Sequence, residues 1–146
     1  MVSDEFSELV SRGIEECDSG NTLKALMYLE EASRKERTPL LNSYLAYCLA
    51  KERKSYRDAI ALGTEALKEQ PGNLVFYRNL AKVYILAGQR NNSIKVLRQA
   101  TKRGRDEQIM RLIKALGIRQ EPVLPFLPRG KPINVFLGKL RRKFLG

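Results

Sequence analysis

The chain has 146 residues, 43% hydrophobic and 29% charged, enough for one ordinary folded domain and too apolar for wholesale disorder. Histidine is absent and the only cysteines are Cys17 and Cys48, which removes Ser–His and Cys–His catalysis, most zinc sites and any disulfide framework. The net charge of +11 is polarised: residues 1–39 carry −4, 40–73 carry +1, 74–104 carry +7 and 105–146 carry +7, a distribution that suits an anionic partner.

In chain order, apolar residues at helical spacing predict helices over about 4–18, 22–36, 39–51, 55–69, 73–87 and 91–103, forming three antiparallel pairs. Gly20 and Gly88 mark the turns inside the first and third pairs, where a positive φ is expected. Pro39 opens the third helix, and Pro71-Gly72 breaks the chain after the fourth. A seventh helix, about 105–117, opens with Arg105-Asp106-Glu107 and carries Ile109, Leu112, Ile113 and Leu116 on one face.

The three pairs repeat one another. Ala25, Ala59 and Ser93 are spaced by 34 residues, as are Leu26, Ile60 and Ile94, and Ala32, Ala66 and Ala100. In each unit the two small residues of the second helix lie 7 apart, close to two helical turns, so they share a face that lets neighbouring helices approach closely. The first helices read Leu9-x2-Arg12-Gly13-x2-Glu16, Asn42-x2-Leu45-Ala46-x2-Leu49 and Tyr77-x2-Leu80-Ala81-x2-Tyr84. Their small residues are 33 and 35 apart, which places one extra residue in the loop Lys51-Glu52-Arg53-Lys54-Ser55.

With these residues the chain resembles the tetratricopeptide (TPR) repeat family over about residues 6–107, most closely in the third unit through Tyr77, Leu80-Ala81, Tyr84, Gly88, Ser93, Leu97 and Ala100. The first unit lacks the aromatics of its first helix, Gly63 replaces a large residue in the second, and Arg105 stands where a proline would fall in the third. The resemblance implies an all-α fold: an α-α superhelix (TPR solenoid) of three helix-turn-helix repeats at about 6–39, 40–73 and 74–107. The seventh helix would cap a domain of residues 4–117.

The family also implies a trough lined by the first helix of each pair. The inward positions would be Val10, Ile14 and Cys17, then Ser43, Tyr47 and Ala50, then Arg78, Lys82 and Ile85, with Asn79 beside Arg78. The trough would be apolar at its first end and cationic at its third. Some chaperone-binding relatives clamp a terminal carboxylate with Lys and Asn on the first repeat. Val10 and Ile14 occupy those places here, which argues against a clamp of that type. Arg78 and Lys82 lie one turn apart and can pair with a carboxylate; the alternative is a solvated surface. Cys17 and Cys48 read as small apolar packing residues, with a redox role as the alternative.

Beyond Gly117 the composition changes. Residues 118–131 hold Pro122, Pro125 and Pro128 at the period of a polyproline II helix, with Phe126 among apolar neighbours. Residues 132–146 read as a basic amphipathic segment, with Phe136 and Leu140 on the apolar face beside Arg141 and Arg142. This extended C-terminal tail resembles the ends of some small bacterial TPR proteins. Phe126, Phe136, Leu140, Arg141 and Arg142 are its expected contact residues.

The expected function is a non-catalytic protein–protein interaction module or scaffold that binds a peptide, acidic in character, in the trough. The alternatives are an auto-inhibited scaffold whose tail fills the trough, with self-association through the tail, and a binder of anionic membrane or nucleic acid through the basic half. No enzyme activity, metal or cofactor is expected, since no Gly-rich phosphate loop or carboxylate cluster accompanies the missing histidine. No apolar run is long enough to span a membrane and no signal-peptide pattern precedes the acidic start, so a cytoplasmic location is expected.

Overall fold

A computed structural model describes residues 2–118 of the chain, the side chains of Val2 and Ser3 excepted. The described residues form seven helices and no strand: α1 (Val2–Asp18), α2 (Thr22–Lys35), α3 (Pro39–Arg53), α4 (Tyr56–Glu69), α5 (Leu74–Leu86), α6 (Arg90–Arg103) and α7 (Glu107–Ala115). The all-α helical-repeat reading holds, and the predicted bounds are met to within two residues. The seventh helix starts after Asp106, so Arg105 and Asp106 lie outside it. The Pro-rich and basic segments fall almost wholly outside the described residues.

The described residues fall into two units that divide after Asp106. Within the first, α1 packs on α2, α3 on α4 and α5 on α6, and consecutive hairpins meet through α2–α3, α4–α5, α3–α5 and a lighter α1–α3 contact. This is the neighbour-only pattern of a solenoid, in which each hairpin completes its core against the next. In the second unit, α7 is a short amphipathic helix with Ile109 and Ile113 buried.

The recurring small residues explain the stacking. Ala25, Ala59, Ser93, Ala32, Ala66 and Ala100 are all fully buried, so three hairpins place equivalent residues in equivalent surroundings. The first hairpin needs a glycine for the same reason: a Cβ on Gly13 would stand 2.5 Å from Leu29 Cδ2. Leu29 and Gly13 thus fit together as knob and hole. In the second hairpin the relation is inverted, because Leu80 of α5 reaches into the space that Gly63 leaves on α4, with Cδ1 at 3.0 Å from where a Cβ would be. A large residue missing from one repeat is replaced by a leucine of the next.

The turns inside the hairpins share one plan. In the first, Asn21 N–H returns to the carbonyl of Glu16 across Gly20 (φ +89°); in the third, Gln89 N–H returns to Tyr84 across Gly88 (φ +76°). In the second, Ser55 N–H reaches back to Leu49, one residue further, and α3 ends on Lys54 at φ +55°. The extra residue expected from the spacing is therefore taken up at the end of α3, where a lysine adopts the left-handed conformation that glycine provides elsewhere. At the other end of α3, Thr38 Oγ1 accepts from Leu41 N–H at 3.2 Å and Pro39 fills the first turn, together forming a regular cap.

Candidate functional site

The first helices α1, α3 and α5 carry the residues singled out by spacing. Val10 is buried and Ile14 half-buried in a hydrophobic cluster with Leu26, Leu29, Tyr44 and Leu45. Ser43 and Asn79 are both buried and meet across α3 and α5, with Asn79 Nδ2 donating to Ser43 Oγ at 3.0 Å. Ala50 is buried with Ala46, Ala59 and Val83, and Tyr47 packs at the margins of both clusters. Ile85 is half-buried. The tail residues Phe126, Phe136, Leu140, Arg141 and Arg142 lie outside the described residues.

Arg78 departs most from the bland expectation of a solvated cation, being only 5% exposed. Its Nη2 donates to Tyr44 Oη at 3.0 Å, and the same nitrogen stands 3.9 Å from Asp18 Oδ1 at the end of α1. Its Nε is buried without a hydrogen-bond partner. A buried donor left unpaired costs about 1–3 kcal/mol, and more on a charged group. The half-exposed Asp18 at such a distance offsets little of this.

One turn along α5, Lys82 Nζ stands 5.1 Å from the centre of the Tyr47 ring, an ammonium over an aromatic face. Burial pushes the Lys82 pKa below the usual lysine value, and repulsion from Arg78 pushes it further the same way. Burial also raises the phenol pKa of Tyr44 and of Tyr47. The structure thus brings together Arg78 and Lys82 from α5, Tyr44 and Tyr47 from α3, and Asp18 and Cys17 from α1. Chemically this is a partly dry, cation-rich surface with aromatic walls and a vacant guanidinium donor.

Sequence reasoning passed over Tyr44 and Asp18. Tyr44 sits two residues before the small Ala46, outside the three positions taken as inward-facing, and Asp18 sits five after Gly13. The signal that could have found Asp18 is its sign, since it is an acidic residue at the end of α1 whose partner, Arg78, lies on α5.

Residues 50–116 match the tetratricopeptide repeat family model. The tetratricopeptide repeat match takes in the end of α3, all of α4, α5 and α6, and α7. No curated protein matches the chain. Tetratricopeptide repeats generally mediate protein–protein interaction and generally serve as non-enzymatic scaffolds. Among the described residues no helix is long and apolar enough to cross a membrane, and no cluster of His, Cys, Asp or Glu could hold a metal ion.

Proposed function

We propose that the chain is a non-catalytic interaction module whose α1–α3–α5 face receives an acidic protein segment. Arg78 and Lys82 take a carboxylate, and Tyr44 and Tyr47 pack beside it. The observation that carries this reading is the unpartnered Nε of a buried Arg78 one turn from a desolvated Lys82. Two cations held close together and partly out of water repel one another, and an entering carboxylate relieves both the repulsion and the missing hydrogen bond. Pre-formed helices lower the ordering cost on the receptor side.

A fluorescent peptide rich in Asp and Glu, titrated with the full chain over a salt series, tests it. Arg78→Met and Lys82→Met keep the bulk of each side chain, and each should weaken binding by tenfold or more, about 1.4 kcal/mol, and flatten the salt dependence. Equal binding by wild type and both variants at low salt would reject the assignment.

A further inference from the structure

The outward side of α6 has no part in the proposed trough. Ser93, Val96, Leu97 and Ala100 form the buried side of this helix. Across the helix from them, Asn91, Lys95, Arg98, Gln99 and Lys102 are all exposed. At 3.6 residues per turn these five fall within an arc of about 100°. Lys95, Arg98 and Lys102 follow one another at i, i+3 and i+7, a row of cations running about 10 Å along the helix. Residues 74–104 contain no Asp or Glu, and among the described residues no ion pair includes any of the three. Like charges three and four residues apart, with no acid between them, work against the helix that carries them. The other repeats supply the comparison. At the same 34-residue spacing, α2 sets Glu30 and Glu31 beside Arg34, and α4 sets Glu65 beside Lys68. The hairpin plan therefore does not require an unrelieved cationic row; it is peculiar to the third repeat.

We propose that this side of α6 is a docking surface for duplex nucleic acid, which it holds by the phosphate backbone without reading the bases. Lys95, Arg98 and Lys102 donate to phosphate oxygens, and the side-chain amides of Asn91 and Gln99 add neutral donors at the edges of the row. The choice among anionic partners follows from what α6 lacks. It has no exposed large hydrophobic side chain and no aromatic residue. A protein partner is held mainly by a few buried apolar or aromatic anchors. A helix on a membrane surface sinks an apolar side into the lipid. A single strand stacks its bases on rings. A duplex asks for none of these, because its bases are already stacked and its charge is dense along its length.

A short fluorescein-labelled DNA duplex of mixed sequence is titrated with the full chain over a salt series. Each phosphate that a cation neutralises adds about 0.9 to the steepness of log affinity against log salt, so Lys95→Gln, Arg98→Gln and Lys102→Gln together should reduce that slope by about 2.7 and any one of them by about 0.9. Glutamine keeps helix propensity at these exposed positions, so far-UV circular dichroism should be unchanged. Arg12→Gln, Lys24→Gln and Lys35→Gln together remove the same charge from α1 and α2 and should leave the slope close to that of the wild type. Equal losses in the two triple variants would assign the effect to net charge and overturn the proposal. So would an unchanged slope in the α6 variant, or a row that serves phosphatidylserine vesicles or a single strand better than the duplex. The acidic-peptide titration is read separately, so failure here and failure of the trough reading are distinguishable.

Discussion

Gly13 and Gly63 both lie inside helices, yet their substitution by alanine should have different outcomes. Alanine in place of a helical glycine gains about 1 kcal/mol of helix propensity. At Gly13 the new methyl would overlap Leu29 Cδ2 and Cγ, at 2.5 and 2.6 Å. Over-packing of that kind costs about 1–3 kcal/mol, so Gly13→Ala should lower the urea midpoint. At Gly63 the nearest atom is the tip of Leu80 at 3.0 Å, a side chain that can turn aside, so Gly63→Ala should leave the midpoint nearly unchanged. Asn79→Ala makes a related point: it strands the buried Ser43 hydroxyl at a cost of about 1–3 kcal/mol. Adding Ser43→Ala should recover part of that loss in a double-mutant cycle. Lys82 supplies the pH test. Its pKa is lowered in the folded protein, so between that value and the unfolded one near 10.5 the unfolded chain binds more protons. Stability therefore gains from Lys82 as pH rises through that window. Wild-type minus Lys82→Met stability, from urea melts at alkaline pH, should climb accordingly; a flat difference would contradict the partly desolvated ammonium.

At the scale of the element, α3 stands apart. Leu41 to Ala50 includes no exposed residue, and the helix touches α1, α2, α4 and α5. Its ends carry the marks of local fitting. Thr38→Ala removes the hydroxyl that caps Leu41 N–H and should cost about 1 kcal/mol. Lys54→Gly should do the reverse, because the residue sits at φ +55°, where a side chain costs about 1–2 kcal/mol. Glycine's larger unfolded entropy offsets part of this, and thermal melts should show a net rise. The helices and their phase were legible from the 34-residue spacing, and the 33-and-35 irregularity placed the extra residue of this turn. The compensation of Gly63 by Leu80 was not legible, because the two belong to different repeats and no local periodicity links them. The burial of Arg78 was hidden for a related reason: a cation reads as surface unless the phenol that receives it is known, and Tyr44 lies 34 residues away.

In the first compact unit as a whole, helices contact their chain neighbours or the corresponding helix of the next hairpin. Short-range topology of this kind favours rapid folding, in the microsecond-to-millisecond range, measurable by stopped-flow or temperature jump. The Asp18–Arg78 pair departs from that pattern by tying the end of α1 to the middle of α5, past the intervening hairpin. The protein's own carboxylate is thus in competition with any carboxylate arriving from outside. On the proposed reading, a guest that takes Arg78 displaces only this long, half-exposed contact, so capture asks little of the packing between the first hairpin and the third.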